Sequence, residues 1–200
     1  MPGNYEKIIS DNLFRFYSEQ MDRAEHLLPA QREKKQFHFK AFGEDCVLSP
    51  EGITFSGVPE KGPKALLISL YALHINPEPL QQEPFKSFKD FPNTMPYWGA
   101  FSANSERVLV PFVNNIRTNV KIIKDLFEGR KSPENISGDF SFIIRPLPKI
   151  SLCYIFYLPD EDFPASCTCL FSSNADSFMP LDGLADVGEY SSRKIREICR

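Results

Sequence analysis

Hydrophobic residues at the start of the chain recur with the period of an α-helix. Residues three, four or eight positions apart place apolar side chains on one face of a segment that ends before Pro29. These residues are Tyr5, Ile9, Leu13, Phe16, Ala24 and Leu27. Because proline cannot continue a helix, the pattern predicts an N-terminal helix over residues 1–28.

The period then changes to that of a β-strand. Apolar and polar residues alternate between residues 37 and 41, with His38 and Lys40 on the polar side. Two short apolar runs follow, separated by turn-forming residues at 43–44 and 50–52. The segment is therefore predicted to form a small antiparallel meander.

Three helices and three strands are predicted in the rest of the chain. Residues 65–73 are apolar on nearly all sides, which predicts a helix at the centre of the fold. The other predicted elements are helices over 112–127 and from about residue 181, and strands over 140–145, 150–158 and 165–171.

Helices and strands are segregated along the chain instead of alternating, and this indicates an α+β fold. We expect a single domain over residues 1–200, with the N-terminal helix attached to a main body of residues 36–200. In that body, the meander and the C-terminal strands form antiparallel sheets around the central apolar helix, with two or three flanking helices.

The connection over residues 76–98, called here the aromatic loop, is long for a compact domain. It contains five prolines and five aromatic residues, namely Phe85, Phe88, Phe91, Tyr97 and Trp98. Because disorder would leave these rings in water, we expect an ordered loop held against the body. The rings of Phe88, Tyr97 and Trp98 are candidates for a binding surface, and a clamp on the core is an equally good interpretation.

Composition and charge exclude several classes of protein. The net charge of −3 gives no general attraction to nucleic acid or to an anionic membrane. The longest apolar run is too short to span a bilayer, and charged residues interrupt the N-terminal region where a signal peptide would be apolar. We expect a cytoplasmic protein without nucleic-acid or membrane partners.

The five cysteines are expected to be reduced thiols. Cys167 and Cys169 form a C-x-C pair, but no second close pair is present to complete a common zinc or iron–sulfur pattern. Because residues two apart on a strand share one face, core packing explains the pair better than a metal site. No metal and no cofactor are predicted.

An acidic segment follows the second C-terminal strand, and residues 160–163 are called here the acidic corner. Asp160, Glu161 and Asp162 precede Phe163, and a proline lies on each side. The acids are candidates for ligands of a hard cation, for a general acid or base, or for a partner-binding surface. The alternative is a turn whose carboxylates accept backbone N–H groups and face water, and we favour this alternative.

His74 is the remaining catalytic candidate, at the end of the central helix. A buried neutral histidine bonded to a backbone carbonyl is the ordinary interpretation, and a favourable charge at the helix C-terminus is another. Catalysis would need an acid or nucleophile within hydrogen-bond reach. His38 is expected on an exposed strand face. The chain contains no G-x-G-x-x-G, Walker or G-x-S-x-G motif.

Three blocks of the chain resemble the family called domain of unknown function 3786, which occurs in bacteria and archaea, many of them anaerobes. The blocks are the apolar helix at 66–71, the aromatic-proline segment at 88–92 with Tyr97 and Phe101, and the segment 159–165 continuing to Leu170, Phe171, Ala175 and Leu181. Ser172 stands where the family often has an acid, and the cysteine-rich iron–sulfur module of some relatives is absent. The family has no established activity.

Three functional hypotheses follow. The leading one is a non-catalytic module that binds a protein partner or a small ligand through the aromatic loop and the acidic corner. The second is an enzyme that uses a carboxylate at 160–162, with His74, on a small substrate. The third, which rests on the resemblance alone, is an accessory protein of an iron–sulfur or corrinoid system. Solvated acids beside an aromatic patch favour binding, whereas a titratable pair in one pocket favours catalysis.

Overall fold

The N-terminal segment is helical, as predicted. The computed structural model describes residues 4–200, so residues 1–3 of the predicted helix lie outside the described residues. The segment consists of α1 (Asn4–Arg15), one π-helical turn (Phe16–Gln20) and α2 (Met21–Leu27). Its apolar face packs on the central helix, where the Asn12 side-chain amide donates to the Ser69 hydroxyl at 3.0 Å.

The first sheet is the predicted meander with one additional strand at each edge. Its antiparallel order follows the chain: β1 (Gln31–Glu33), β2 (Gln36–Ala41), β3 (Glu44–Ser49), β4 (Gly52–Phe55) and β5 (Val58–Glu60). The alternation on β2 is confirmed, because Phe37, Phe39 and Ala41 are buried. Lys40 is exposed and His38 half-buried on the opposite face.

The central apolar helix is α3 (Pro63–Leu73), and it packs against α1 and the C-terminal helix. Leu67, Ile68 and Tyr71 are buried, whereas Leu70 is half-buried. A second helical region contains α4 (Met95–Phe101), a π-helical turn (Ser102–Glu106), a 3-10 segment (Arg107–Phe112) and α5 (Val113–Leu126). Pro111 therefore lies within a longer irregular helix, and the last helix is α6 (Leu181–Ile198).

The second sheet contains the three predicted C-terminal strands and two short edge strands. Its antiparallel order is β6 (Lys86–Ser87), β10 (Ser166–Phe171), β9 (Ile150–Tyr157), β8 (Phe140–Leu147) and β7 (Arg130–Lys131). The predicted break at residues 146–148 is wrong in part, because β8 continues to Leu147 through a bulge after Ile144. The central strand β9 is buried on both faces, which explains its uninterrupted apolar sequence.

One continuous hydrophobic core extends from Ile9 to Cys199 and includes side chains from both sheets. Stacked aromatic rings make up much of it, such as Phe88 on Phe101 and Phe140 on Phe156. Burying one such ring contributes roughly 1.5–3 kcal/mol. The α+β class predicted from the sequence is confirmed.

Candidate functional site

The acidic corner forms a turn directly after β9. The Asp160 carboxylate accepts the backbone N–H groups of Asp162 at 2.9 Å and Phe163 at 2.7 Å. The Asp160 N–H in turn donates to the Phe163 carbonyl at 3.0 Å. Asp160 therefore stabilises the turn, while the Glu161 and Asp162 side chains extend into solvent.

Two aromatic side chains at the acidic corner face water. Phe163 is 69% exposed and Tyr157, the last residue of β9, is 41% exposed. Asp139 lies beside the residue that follows Tyr157, since its carboxylate accepts the Leu158 N–H at 2.6 Å. Within residues 4–200, no salt bridge includes Asp139 or an acid of the corner. The surface is thus negative, with aromatic rings beside solvated carboxylates.

Most rings of the aromatic loop belong to the core. Phe88 is fully buried and stacks on Phe101 at 4.5 Å, so it has no surface to offer a ligand. Trp98 is half-buried, 6.1 Å from Phe101, and the Lys89 ammonium lies 5.9 Å from its ring centre. Tyr97 is 38% exposed. The loop is ordered, as expected, and Phe88 and Trp98 act as its clamp.

The aromatic loop and the acidic corner attach to opposite ends of β10. The strand β6 within the loop pairs with Leu170 and Phe171, whereas the corner precedes Ser166. Four residues of extended strand correspond to roughly 13 Å. The sheet therefore does not hold the aromatic loop and the acidic corner at the same place, and this gives no support to the shared surface expected from the sequence.

Polar anchors that the sequence reading missed also hold the aromatic loop. Lys149 is only 8% exposed, and its ammonium donates to the carbonyls of Asn76 at 2.6 Å and Glu78 at 2.9 Å. Burial lowers the pKa of this lysine, and Glu78 opposes the effect. The Asn174 side chain accepts the Gln81 N–H at 2.9 Å. The only sign of this anchor in the sequence is a single lysine, Lys149, directly before the apolar strand β9.

The structure separates His74 from the acidic corner. Its Nδ1 lies 2.8 Å from the Leu70 carbonyl, as the ordinary interpretation predicted, but the side chain is exposed and not buried as that interpretation expected. Asn76, two residues later, is bonded to Lys149 at the start of β9, whereas the corner follows the end of that strand. An eight-residue strand spans roughly 26 Å. This separation gives no support to a pairing of His74 with a carboxylate at 160–162.

Cys167 and Cys169 lie on one buried face of β10, in agreement with the core interpretation. Burial raises the pKa of both thiols, and the nearby Glu106 carboxyl adds to the effect. Glu106 itself is buried, and the Tyr154 hydroxyl bonds the Ser192 hydroxyl at 2.8 Å in the same region. Among residues 4–200, no group of three histidine, cysteine or acidic side chains is arranged to hold a metal ion.

A cleft of about 510 Å³ lies where the outer face of the first sheet meets β8. Its charged and polar lining comes from β1, β2, β3, the residues just after α5 and the β8 bulge, and consists of Gln31, His38, Lys40, Asp45, Glu128 and Arg145. The sequence reading assigned His38 to an exposed strand face and did not single out Arg145. Their proximity depends on contacts between residues more than a hundred positions apart.

A family model described as "Domain of unknown function (DUF3786)" matches residues 21–194 of the chain. The comparisons with curated proteins and with solved structures give no match. Within the described residues, no helix has the length and apolar character needed to cross a membrane.

Proposed function

This chain belongs to the DUF3786 family, and we propose that it is a non-catalytic cytoplasmic module that binds a basic protein segment at the acidic corner. The observation that carries the proposal is the exposure of Phe163, 69% of whose surface faces water on a turn with a fixed backbone. An aromatic side chain held in this way is typical of an interface anchor.

The turn reduces the conformational entropy lost on binding. Asp160 accepts two backbone N–H groups, and Pro159 and Pro164 restrict the backbone on either side. Because the Phe163 ring is already presented on an ordered segment, little ordering remains to oppose association. Covering such a ring contributes roughly 1.5–3 kcal/mol.

The charges around the ring determine which partner fits. Glu161 and Asp162 are exposed, Asp139 lies nearby, and no salt bridge within residues 4–200 neutralises them. Lysine and arginine side chains of a partner would be attracted to this surface, and an apolar side chain would cover Phe163. The same charges would repel a polyanion such as nucleic acid.

Binding is preferred to catalysis at the acidic corner. An acid–base enzyme needs a second titratable group close to its carboxylate, and His74 lies near the other end of β9. Solvent also surrounds the carboxylates, so the corner lacks the enclosed pocket in which a small substrate would be held. The aromatic loop is not included in the proposed surface because Phe88 is buried and Trp98 packs on the core.

The proposal is tested by placing a photo-crosslinking aromatic amino acid at position 163 of the full chain in its native host. A matched control carries the same group at Phe14, which is 74% exposed on α1. We expect a basic partner that is crosslinked from position 163 and not from position 14. If that partner carries an iron–sulfur cluster or a corrinoid, the binding module acts as the accessory protein that the resemblance implies.

The affinity of the purified partner then separates the contributions of ring and charge. Phe163→Ser is expected to weaken binding at least tenfold, which corresponds to about 1.4 kcal/mol. Glu161→Gln with Asp162→Asn is expected to weaken binding and to reduce its salt dependence. Phe14→Ser, Glu19→Gln with Asp22→Asn, and Tyr97→Ala serve as controls that retain binding. The same crosslinked proteins from both positions, or unchanged affinity of the corner variants, would refute the proposal.

A further inference from the structure

The cleft between the two sheets is built from three irregular backbone positions. Phe42, at the tip of the β2–β3 hairpin, has a left-handed φ of 52°, and its N–H donates to the Pro146 carbonyl at 2.8 Å. Pro146 belongs to the bulge of β8, as does Arg145, whose N–H donates to the Phe127 carbonyl at 3.1 Å. The hairpin, the bulge and the end of α5 are thus joined directly.

Glu128 is the third irregular position. Its φ is 51°, and the Gly129 N–H donates to the Lys124 carbonyl at 2.7 Å, which closes the last turn of α5. Helices usually have glycine or asparagine at this left-handed position, because other residues are disfavoured there. A glutamate there opposes the local backbone preference, and its side chain lines the cleft. Departures of this kind are concentrated at functional sites.

The bulge has a similar effect on Arg145. Its neighbours Ile144 and Pro146 are buried, whereas Arg145 is exposed and lines the cleft. Bulges are used in sheets to redirect a side chain. The two irregular positions therefore place a carboxylate and a guanidinium in the same cleft.

The remaining charges of the cleft are already paired. Lys40 and Asp45 face each other across β2 and β3, with nitrogen and oxygen 2.9 Å apart. Neither Arg145 nor Glu128 takes part in a salt bridge within residues 4–200. One cation and one anion of the cleft are therefore free for a ligand.

His38 adds a polar atom without a partner. Its Nε2 is buried and makes no hydrogen bond within the described part of the chain. The nearest carboxylate oxygen, from Glu33, is 3.9 Å away, which is too long for a hydrogen bond. A buried ring nitrogen without a partner is unusual, and a bound ligand would supply one.

We propose that this cleft binds a small zwitterion of about the size of a dipeptide. Its carboxylate would accept two N–H groups of the Arg145 guanidinium in a bidentate arrangement, and its ammonium group would donate to the Glu128 carboxylate. Phe39, Val47 and Pro148 supply the apolar part of the lining, and the cleft volume falls in the range of ligand sites, about 300–1,000 Å³. This site is independent of the acidic corner.

The test uses three matched probes and the full chain labelled for NMR. Leucylglycine carries both charges, N-acetyl-leucylglycine lacks the ammonium group, and leucylglycinamide lacks the carboxylate. We expect leucylglycine to shift the signals of His38, Glu128 and Arg145, and each singly charged analogue to bind at least about tenfold more weakly.

Variants assign each charge to its ligand group. Arg145→Gln should weaken the binding of leucylglycine about tenfold or more and leave the binding of leucylglycinamide unchanged, because that analogue has no carboxylate. Glu128→Gln should likewise weaken the binding of leucylglycine and leave the binding of N-acetyl-leucylglycine unchanged, because that analogue has no ammonium group. Glu128→Asn provides a second neutral variant that tolerates the left-handed backbone. Arg130→Gln and Glu134→Gln, which change exposed charges outside the cleft lining, should bind like the wild type. Absence of cleft shifts with leucylglycine, or equal affinity for all three probes, would overturn the proposal.

Discussion

The Glu106 carboxylate accepts the backbone N–H of Cys169 at 3.1 Å, so a buried acid closes the open edge of a strand. β9 pairs with the whole of β10 on one side, but β6 on the other side pairs only with Leu170 and Phe171, which leaves the first part of that edge without a neighbouring strand. Unpaired strand edges promote association with other chains, and proteins cover them. The π-helical turn that contains Glu106 provides this cover and supplies a side-chain acceptor.

The stability of the protein should depend on pH through Glu106. Burial raises the pKa of this carboxyl above 4.5, although the Cys169 N–H and the Ser102 hydroxyl lower it in part. The folded state therefore retains the proton to a higher pH than the unfolded chain does. Stability falls as pH rises from the unfolded pKa to the raised folded pKa, and stays lower above it.

Glu106→Gln should remove this dependence while keeping an acceptor for Cys169. We measure the free energy of unfolding in urea at about pH 4 and at about pH 7, and we expect the difference between variant and wild type to shift in favour of the variant at the higher pH. Glu134→Gln, which changes an exposed acid, should give the same difference from the wild type at both pH values. A Glu106→Gln difference that does not vary with pH would show that the carboxyl titrates normally.

The regular elements could be predicted because each is long enough for its hydrophobic period to show. This holds for α3, α5 and α6 and for the strands β2, β8, β9 and β10. The two-residue strands β6 and β7 contain too few residues for any period. The bulge at Arg145 was read as a break, because a proline inside a strand normally ends it.

The candidate sites were less predictable because they depend on contacts between distant parts of the chain. The turn at Asp160 involves only neighbouring residues, and the sequence indicated it correctly. The cleft requires Phe42 to contact Pro146, and the edge cover requires Glu106 to contact Cys169. A single sequence carries no signal for such pairs. The buried Glu106 and the exposed Glu128 therefore cannot be distinguished from the sequence alone.

The central helix should contribute strongly to stability through Leu67. This side chain is buried, whereas Leu70 on the same helix is half-buried. Leu67→Ala should lower the free energy of unfolding by about 2–5 kcal/mol, the usual effect in a core that cannot collapse around the cavity. Leu70→Ala should lower it by less, because part of its surface already faces water. Equal losses for the two variants in urea unfolding would contradict this assignment.

Lys149 should control the local order of the first part of the aromatic loop. Lys149→Met keeps most of the apolar stem but removes the donor to the carbonyls of Asn76 and Glu78, which are 2.6 and 2.9 Å from the ammonium. Leaving a carbonyl without a donor costs about 1–3 kcal/mol where it is fully buried, so less than this is expected at these partly buried positions. The first part of the loop can open so that water donates to these carbonyls. The substitution should therefore increase local opening of the loop and have little effect on global stability.

Amide hydrogen exchange distinguishes a local opening from global destabilisation. In Lys149→Met, the Gln81 and Ser173 amides should exchange faster, because both depend on the loop remaining docked: one donates to Asn174 and the other to the Gln81 carbonyl. The Cys153 amide, in the centre of the second sheet, should exchange at a rate close to that of the wild type, since global unfolding controls it. Lys131→Met, which alters an exposed lysine on β7, should change neither region. Faster exchange of Cys153 to the same extent as Gln81 would show that Lys149 stabilises the whole fold and not the loop alone.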